Sequence, residues 1–523
     1  MTKNQKAKTI ILEAVKEKKF NHQKLFKIQR MVSKSDGGKF ARSSDLLKAY
    51  KDLVKEKKIK PNPEVEKILK KSRIRSLSGI VSITVLTKPF TCPGNCLYCP
   101  NIPQMPKSYL PDEPACMRAI RNNFDPFKQV KTRIESLKLT GHPTDKIELI
   151  ILGGTWSFYP LKYQRWFIKR CFDAANGKNS KTLEMSQKRN ETAQNRIIGI
   201  TIETRPDYIN LEEIKRLRGL GVTRVELGVQ SIYDKVLFYN NRGNDTKSVA
   251  YATKLLRGAG FKITYHMMLN LPGSNLEMDE KMFKELFDNP QFMPDQLKIY
   301  PCVVLKDAPL YKLYLEKKYQ PYSTNQLIDL LIKIKEKIPP YVRIIRVIRD
   351  IPSPDIIDGN KIPSLRQIVL KKMKELKKSC QCIRCREPRD EKINFKKIKL
   401  IKREYKTSNG KEIFLSYEEK ERNKILAFLR LSLPTEWTFP FLKDGAIIRE
   451  LHSYGIVAPL KDEGKKSNVQ HKSLGKKLIK EAEKIVKREG GYDKIFVISG
   501  IGVRNYYRKL GYHLFKTYMV KRV

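Results

Sequence analysis

Six short apolar runs dominate the middle of the chain, and each is followed by a stretch with helical periodicity. The runs are GIVSITVL (79–86), IELIILGG (147–154), IIGITIET (197–204), RVELGVQS (224–231), KITYHMML (262–269) and DQLKIYPCVV (295–304). Near-continuous Val and Ile indicate strands that are buried on both faces, and the alternation with helices indicates parallel βαβ units. Six such units predict an α/β fold with a partial TIM-like (β/α)6 barrel over residues 76–345.

The amino-terminal residues 1–75 have a different pattern. They are rich in lysine and carry short helical periods, with apolar positions such as Ile11 and Phe26. This pattern predicts a small basic helical region, although a charge density this high is also typical of a flexible arm.

The carboxyl-terminal part of the chain changes character twice. Residues 346–394 form a connector, in which a proline-rich stretch precedes a basic helix and a cluster of cysteines. From 395 to 523 the pattern indicates antiparallel strands, then a helix at about 474–489, a strand at 494–500 and a final helix and strand. This order of elements predicts a second α/β domain.

The charge of the chain points to a polyanionic partner. Lysine and arginine number 106 against 55 aspartate and glutamate residues, which gives a formal net charge of +51. Positive charge on this scale repels itself in a compact fold, and a nucleic acid relieves the repulsion because each neutralised phosphate releases counterions. A lysine-rich surface that favours solubility is the alternative explanation, but the excess is spread along most of the chain.

The sequence also indicates the cellular compartment of the protein. It has no secretory h-region and no run of about 18 apolar residues that could cross a bilayer. The nine cysteines are an odd number and mostly clustered, which suits metal binding in a reducing compartment better than a disulfide framework. We therefore expect a cytoplasmic protein that does not enter a membrane.

Three cysteines directly follow the first apolar run. Cys92, Cys96 and Cys99 stand in CPGNCLYC, a C-x3-C-x2-C spacing. Three thiolates on a tight loop can hold three irons of a 4Fe–4S cluster and leave the fourth iron open to a small molecule. A structural zinc site would need a fourth ligand, which this loop lacks. The loop resembles that of the radical S-adenosylmethionine (SAM) superfamily, and the resemblance implies a cluster that binds SAM.

A glycine motif follows the second apolar run. Gly153, Gly154 and Thr155 stand in GGTW, and glycines allow backbone carbonyls to approach a ligand closely. Ordinary βα turns also use Gly-Gly, so the motif is weak alone. Beside the cysteine loop it fits the segment that radical-SAM enzymes place against the methionine amine.

The sequence near the carboxyl terminus resembles an acetyl-CoA site of the GNAT acetyltransferases. That family binds the CoA pyrophosphate at a helix N-terminus through Q/R-x-x-G-x-G/A, and here QHKSLG runs from Gln470 to Gly475. Ser473 replaces the first glycine of this motif. Serine still offers its backbone N–H, but its side chain hinders close approach, so the replacement bears on the affinity for acetyl-CoA. Tyr506 and Tyr507 are candidates for the tyrosine that protonates the leaving thiolate, although tyrosines packed on a helix are the ordinary alternative.

The two halves together resemble one family, the catalytic subunit of Elongator in its prokaryotic-type form. The resemblance runs from about residue 75 to the end of the chain. The segments that carry it are SYLPDEPACMRAIRNNFDPF (108–127), ITIETRPDY (200–208), RVELGVQSIYD (224–234), DQLKIYP (295–301), RELHSYG (449–455) and GVRNYYRKLGY (502–512). The spacing between Cys92 and Cys96 is shorter than in eukaryotic members, which carry an insert there.

The resemblance implies a complete reaction. A SAM-derived radical would take hydrogen from the acetyl methyl of acetyl-CoA, and the new radical would add to carbon 5 of the wobble uracil of tRNA. Thioester hydrolysis would leave 5-carboxymethyluridine at position 34, and the basic region 1–75 would bind the anticodon stem-loop. The residues that the resemblance assigns to acetyl-CoA are Lys146, Glu450, Leu451, His452, Ser453, Leu474, Gly475, Lys476 and Tyr507.

The connector carries a second cysteine cluster, CQCIRC, with Cys380, Cys382 and Cys385. Its spacing predicts a structural zinc that fixes the connector, with free thiols as the alternative. Three thiolates leave a fourth ligand to be found, and Cys302 or a histidine such as His452 could supply it.

Two rival functions remain open at the level of sequence. A protein lysine acetyltransferase would use the GNAT half, but it has no need of a radical-SAM cysteine loop. A non-catalytic tRNA-binding scaffold would not need to retain the cluster cysteines or the tyrosine pair. The sequence also leaves open whether the chain forms a homodimer or works with Elongator-type accessory subunits.

Overall fold

The computed structural model describes residues 2–17, 20–34, 40–69, 79–389, 391, 393–454 and 469–523, with the backbone only for 469–473. Helices form the amino-terminal region: α1 (Lys3–Lys16), α2 (His22–Lys34), α3 (Ser43–Lys55) and α4 (Pro63–Leu69). Buried apolar side chains such as Ile10, Leu46 and Val65 form a core of their own between these helices. The prediction of a helical region is confirmed, and its described part is a packed unit.

A parallel sheet forms the middle of the molecule. Its strands are β1 (Val81–Leu86), β2 (Lys146–Leu152), β3 (Arg196–Thr204), β4 (Arg224–Gln230), β5 (Lys262–Leu269), β6 (Gln296–Pro301) and β8 (Arg343–Arg346), paired in that order. All six predicted strands are present. The prediction of six units is wrong by one, because β8 joins as a seventh strand. It is only four residues long and has arginine at both ends, so no apolar run marks it, and the expected boundary at residue 345 lies inside it.

Helices connect these strands and cover the outer face of the sheet. They are α5 (Pro114–Arg121), α6 (Pro126–Leu139), α7 (Leu161–Asn176), α8 (Leu183–Asn190), α9 (Leu211–Leu220), α10 (Asp234–Tyr239), α11 (Thr246–Gly258), α12 (Leu276–Asp288), α13 (Leu310–Leu315) and α14 (Thr324–Lys337). Side chains alternate along each strand, so Ile147, Leu149 and Ile151 of β2 are fully buried beneath helices. Lys146, Glu148 and Ile150 alternate with them and stay partly exposed on the inner face.

The connector contributes the short pair β7 (Val304–Leu305) and β9 (Ile356–Asp358), then α15 (Leu365–Glu375) and α16 (Ile383–Arg386). Its helices pack against the last part of the barrel, α15 on α14 and α16 on β8. None of the helices in the described ranges is both long and apolar enough to span a bilayer.

A second, mixed sheet forms the carboxyl-terminal unit. Its strands are β10 (Ile398–Thr407), β11 (Gly410–Glu419), β12 (Lys424–Leu433), β13 (Gly445–Ser453), β14 (Lys494–Val497), β15 (His513–Phe515) and β16 (Tyr518–Arg522), with helices α17 (Val469–Glu489) and α18 (Arg504–Arg508). The expected second α/β unit is therefore present. It ends in two strands where the sequence predicts one, because a turn at Lys516 divides the last apolar segment.

One parallel pair in this second sheet is incomplete. β14 pairs with β13 only from Gly445 to Ile448, and among the described residues no strand pairs with the rest of β13, from 449 to 453, on that side. On its other side β13 continues to pair with β12 through Ser453. The two parallel strands therefore separate and leave a gap lined by the backbone of β13.

The carboxyl-terminal unit docks on the amino ends of the barrel strands. The clearest contact is at Gly500, where a Cβ atom would lie 1.9 Å from the carbonyl oxygen of Ile198 in β3. A Cβ atom at Gly502 would lie 2.6 Å from that of Arg196. Apolar side chains of both units, among them Ile447 and Phe261, belong to one hydrophobic core. The two sheets are therefore packed as closely as the inside of a single domain.

Buried charges hold this junction. Asp295, at the amino end of β6, lies 3.0 Å from a guanidinium nitrogen of Arg449 and 3.5 Å from one of Arg430. Arg449 also lies 3.0 Å from Glu412 of β11, whose other oxygen faces Arg257 of α11 at 3.5 Å. All five side chains are almost completely excluded from solvent. Burial raises the pKa of the Asp295 carboxyl, but the arginines outweigh burial and hold it well below its usual range.

We expect Asp295→Ala to lower the free energy of unfolding by about 3–5 kcal/mol, because two buried guanidinium groups lose their shared counter-charge. Urea unfolding measures the change. Glu184→Ala is the matched control, because it breaks the exposed ion pair between Arg165 and Glu184 and should cost about 1 kcal/mol or less. Equal losses in the two variants would contradict a structural role for the buried charges.

Candidate active site

The cysteine loop lies at the carboxyl end of the barrel, between β1 and α5. Cys96 and Cys99 are buried and Cys92 is half-buried, with its Sγ 3.7 Å from the Thr155 hydroxyl. A zinc ion bound at about 2.3 Å would need thiolates within roughly 4 Å of one another. Among the described residues, the Sγ atoms of these three cysteines do not all lie within 4.8 Å of one another. The loop therefore fits a cluster, whose cysteines bind different irons, better than a single ion.

Cationic side chains line this loop on its inner side. An Arg242 guanidinium nitrogen lies 3.8 Å from the Cys96 Sγ, and Arg205 forms an ion pair with Asp207 at 2.8 Å. Nη1 of Arg205 and Nε of Arg242 are buried and have no hydrogen-bond partner among the described residues. Unpaired buried donors are costly, and a bound anionic group would satisfy them. Their positions fit a cluster ligated by thiolates.

The glycine motif packs against the cysteine loop. A Cβ atom at Gly153, whose φ is +140°, would lie 1.7 Å from the Thr87 hydroxyl, so only glycine fits there. The amides of Gly153 and Gly154 donate to one oxygen of Glu203, at 2.9 and 2.8 Å. The Tyr109 hydroxyl donates to the same oxygen at 2.6 Å. Glu203, at the end of β3, therefore fixes the glycine loop. The sequence alone did not indicate this role, because no characteristic spacing links Glu203 to the two glycines.

Ionisable side chains project into the barrel below the glycine motif. Glu226 of β4 lies 2.9 Å from the ring of His266 and forms an ion pair with Lys298 of β6. Glu203, Glu226 and His266 have ligand atoms within 4.8 Å of one another, but the Lys298 ammonium already supplies a cation there. Burial raises the pKa of Glu226, yet Lys298 and His266 outweigh it and keep the carboxyl ionised. Burial and Lys298 lower the pKa of His266, which favours its neutral form.

The second predicted site lies at the gap between β13 and β14. A Cβ atom at Gly475 of α17 would lie 3.2 Å from the Tyr506 hydroxyl and 3.8 Å from both Leu451 and the Ser453 hydroxyl. The structure therefore brings these predicted residues together around the first turns of α17. Leu474 is buried in the core of the unit and Lys476 is exposed beside it. The side chains of Gln470 and Ser473 lie outside the described residues.

The two candidate tyrosines have different surroundings. Tyr507 is buried in the hydrophobic core of the unit, with its ring centroid 6.0 Å from that of Tyr512. Tyr506 is only partly buried and its hydroxyl faces Gly475. Burial raises the pKa of Tyr506 to about 12, so its phenol stays protonated at neutral pH. Both line the same cavity, and Tyr506 is the one whose hydroxyl faces the helix N-terminus.

Glu450 and His452 lie on the opposite face of β13, toward the barrel. Glu450 lies 2.9 Å from Arg430 and 3.8 Å from the Lys262 ammonium. The His452 ring stacks on Phe428, and its Nε2 is buried with no hydrogen-bond partner among the described residues. Burial lowers the pKa of His452 to about 4, so the ring is neutral. An unpaired neutral nitrogen at the gap fits a polar ligand there.

The amino ends of the barrel strands carry cations that face this second site. The first residue of five strands is basic and lines the cavity: Lys146, Arg196, Arg224, Lys262 and Arg343. The family resemblance predicted Lys146 as a residue of this site, but the sequence analysis did not predict the other four. Arg196, Arg224 and Lys262 begin strands that the apolar runs locate, and that shared position is the signal that could have found them. Arg343 begins β8, which no apolar run marks.

The connector cysteines converge on one point. The Sγ atoms of Cys380, Cys382 and Cys385 lie within 4.8 Å of one another. The expectation that Cys302 or His452 completes this set is wrong. Cys302 is buried in a separate apolar cluster, and His452 lies at the gap of the second sheet.

The buried Lys335 ammonium faces the connector cysteines instead, 3.4 Å from the Sγ of Cys380 and 3.7 Å from that of Cys385. Among the described residues no fourth Cys, His, Asp or Glu ligand atom joins the three thiols. The geometry therefore offers three thiolates and one neighbouring positive charge, which would partly offset their negative charge.

One cavity joins the two sites. It has a volume of about 1620 Å³ and is lined at one end by Cys92, Cys96 and Gly154, and at the other by β13 and by the tyrosines of α18. Polar residues of the inner barrel face line the space between the two ends. The residues predicted for the two separate sites therefore share a single volume.

Two family models match parts of the chain. Residues 86–286 match the Radical SAM superfamily model, and residues 294–375 match the Radical_SAM C-terminal domain model. The first match contains the cysteine loop and the glycine motif. The second contains β6, β8 and most of the connector.

Relatives extend the match to most of the chain. The chain is 46% identical to the tRNA uridine(34) acetyltransferase of Methanocaldococcus jannaschii over 472 residues, 87% of this chain and 86% of that protein. It is 41% identical to human Elongator complex protein 3 over 480 residues, 88% of each. The solved structure of Methanocaldococcus infernus Elp3 with an N-terminal deletion superposes with a TM-score of 0.76 and 42% identity, covering 86% of this chain and 100% of that chain.

Proposed function

Because the chain belongs to the family of the tRNA uridine(34) acetyltransferases and Elongator complex protein 3, we propose that it modifies the wobble uridine of tRNA. The product is 5-carboxymethyluridine at position 34, with acetyl-CoA as the carbon donor, so the chain is an acyltransferase-class radical-SAM enzyme. The observation that carries the proposal is the single cavity lined by both the cysteine loop and the gap between β13 and β14.

The cysteine end of the cavity would hold the radical chemistry. Cys92, Cys96 and Cys99 would ligate a 4Fe–4S cluster, which with SAM supplies a 5′-deoxyadenosyl radical when bound. Gly153, Gly154 and Thr155 would lie against the methionine part of SAM. The protein's own contribution is positional: the carboxylate that holds the two glycine amides keeps this loop in one conformation.

The other end of the cavity would hold acetyl-CoA on a GNAT-type unit. The separated strands β13 and β14 support this assignment, because an extended ligand can hydrogen-bond to the free edge of β13. The N-terminus of α17 would bind the pyrophosphate, with Lys146 as a further cation. The protonated Tyr506 hydroxyl is placed to donate a proton to the departing thiolate, with Tyr507 packed behind it.

The basic surface would bind the tRNA. The net charge of +51 supplies the sequence-independent affinity for phosphates. The amino-terminal region also exposes the rings of Phe26 and Phe40, which lie edge to face with centroids 5.3 Å apart, and exposed aromatic rings can stack on unpaired bases. A uridine in a single-stranded anticodon loop can be turned out at low cost, which lets it reach a cavity.

The connector cysteines would hold a structural zinc. Three convergent thiols beside α14, α15 and β8 support this assignment, since a bound metal would fix the connector against the helices and the strand on which it packs. With Zn²⁺, three thiolates and the Lys335 ammonium, the site would carry no net charge, which reduces the cost of its burial.

The alternatives fit less well. A protein lysine acetyltransferase needs no cysteine loop opening into the cavity that holds the acetyl donor. A non-catalytic scaffold gives no reason for unpaired buried donors beside the cysteines or for an unpaired His452 nitrogen at the gap.

Nucleoside mass spectrometry of tRNA tests the function. The cluster-reconstituted chain is incubated anaerobically with tRNA, a reductant, SAM and acetyl-CoA. We expect a carboxymethyl mass on uridine that depends on both small molecules. An unmodified tRNA, with acetylated lysine on an added protein, would instead support the acetyltransferase alternative.

In the same assay, the Cys96→Ala variant separates the role of the cysteine loop in radical chemistry from tRNA binding. It should abolish SAM cleavage and uridine modification and leave tRNA affinity within about twofold, because phosphate contacts set that affinity. Cys171→Ala is the control, since Cys171 is buried in the barrel core away from the loop. Full activity of the Cys96 variant would overturn the radical mechanism.

Metal analysis tests the zinc site. The purified chain should contain one zinc beyond its cluster iron, and Cys382→Ser should lose it and lower the melting temperature. Cys302→Ala is the control and should keep the zinc, because Cys302 does not join the three thiols. Equal zinc content in the chain and in its Cys382 variant would contradict the assignment.

A further inference from the structure

Two short helices hold the cysteine loop on the side that faces away from the cavity. The three cysteines line the cavity, whereas Leu97, which stands between Cys96 and Cys99, does not. The amide of Leu97 donates to the carbonyl of Asn240, the C-cap of α10, at 3.1 Å. The amide of Leu310, the first residue of α13, donates to the carbonyl of Leu97 at 2.8 Å. Both helices are therefore hydrogen-bonded to the main chain between two proposed cluster ligands.

Side chains of the two helices also contact the loop. Val236 of α10, Leu310 of α13 and Tyr98 of the loop pack in one apolar cluster. Just beyond α10, a guanidinium nitrogen of Arg242 lies 3.8 Å from the Sγ of Cys96. The outer surface of α10 and α13 therefore lies about 10 Å, one helix diameter, from the loop. Electrons pass between redox centres in proteins over distances of this order.

That outer surface exposes apolar side chains. Phe238 of α10 is 86% exposed, more than any other large apolar side chain in the described residues, and Tyr239 and Leu315 are about half exposed. Lys318 is close enough to Tyr239 for their charges to interact, which places the end of α13 beside the end of α10. We call Phe238, Tyr239, Leu315, Lys317 and Lys318 the rear patch. Grouped apolar side chains on a surface mark an interaction site more often than single ones do.

The rear patch lies outside the substrate side of the molecule. Among the described residues that line the cavity, none belongs to the rear patch. A partner bound there would touch neither SAM nor the other substrates in the cavity, but it would lie against the helices that hold the cysteine loop. What the cluster needs from outside is one electron for each cleavage of SAM. Neither SAM, acetyl-CoA nor tRNA supplies that electron.

The charges of the two helices indicate the sign of the partner. Over residues 234–239 and 310–318 four exposed lysines stand against two acidic residues: Lys235, Lys312, Lys317 and Lys318 against Asp234 and Glu316. An aromatic centre with a basic rim is complementary to an acidic surface, and charge complementarity speeds association. Weak electron-transfer complexes use small interfaces, which a patch of this size can provide.

We propose that the rear patch is the docking surface for a small acidic electron-carrier protein, of the flavin or iron–sulfur type, that reduces the cluster at the cysteine loop. The carrier loses one electron, the cluster gains it, and no bond forms to the patch. This inference rests on the proposed function, because it requires a cluster at the cysteine loop, and it adds the partner that supplies the electron.

The rate of cluster reduction tests the proposal. Reduced flavodoxin is the probe, and freeze-quench electron paramagnetic resonance follows the signal of the reduced cluster. Phe238→Asp, and the double variant Lys317→Glu with Lys318→Glu, should lower the bimolecular rate by about tenfold or more, because they remove the anchor or repel the acidic probe. Tyr251→Asp is the control, since Tyr251 is an equally accessible ring on α11, outside the patch, and its rate should match that of the unmodified chain.

Dithionite separates docking from the cluster itself. It is a small ion that needs no docking surface, so all the variants should be reduced by it within about twofold of the unmodified rate, because salt screens single surface charges. If dithionite produces no cluster signal in the unmodified chain, the cluster and with it the proposed function fail.

The rear patch is wrong if dithionite reduces the cluster and flavodoxin either does not reduce the unmodified chain or reduces the patch variants equally fast. Exposed rings among lysines also suit unpaired bases. Weaker tRNA binding by the variants, with unchanged reduction by flavodoxin, would therefore assign the patch to nucleic acid and overturn the proposal.

Hydrogen exchange on the unmodified holoenzyme covers the case in which the variants do not load a cluster. With excess oxidised flavodoxin, the amides of α10 and α13 should exchange more slowly, because a bound carrier covers them. Slower exchange confined to other parts of the chain would contradict docking at the rear patch.

Discussion

The buried charges around Asp295 set the relation between the two sheets, and the cavity depends on that relation. Arginines from the second sheet reach a carboxylate at the amino end of a barrel strand, and Glu412 in the second sheet receives Arg257 from a barrel helix. Fully buried charges tolerate no mismatch, because an unpaired one costs several kcal/mol. The network therefore disfavours any docking of the two sheets that would leave one of these charges unpaired. Glycines at 500 and 502 then allow backbone contact over the same surface.

Fixed docking has a chemical consequence. In parallel α/β folds, ligands normally bind at the carboxyl ends of the strands. Here the carboxyl ends hold the cysteine loop, and the proposed acetyl-CoA site lies at the amino ends. A barrel filled with apolar side chains would separate the two sites, whereas the polar interior joins them. The two proposed sites therefore line one cavity in units that share a hydrophobic core.

Local signals in the sequence account for much of the fold and for the two groups of cysteines. Apolar runs located six barrel strands, because strands covered by helices need continuous apolar residues. β8 gave no such run. Contacts between residues that are far apart in the sequence could not be predicted in this way. Lys335 is 45 residues from Cys380, and Glu203 is 50 residues from Gly153, from whose amide it accepts a hydrogen bond. No spacing encodes such contacts, and only the folded chain brings them together. The family resemblance assigned Tyr507 to acetyl-CoA. The structure adds that the hydroxyl of Tyr506 faces Gly475.

The central claim is that the acetyl methyl group held by one half of the chain meets the radical generated in the other half. Acetyl-CoA carrying three deuterium atoms in its methyl group tests it directly, with mass spectrometry of both the 5′-deoxyadenosine and the tRNA nucleosides. The account predicts one deuterium in the 5′-deoxyadenosine and two in the carboxymethyl group of the modified uridine. Modified uridine accompanied by unlabelled 5′-deoxyadenosine would contradict it.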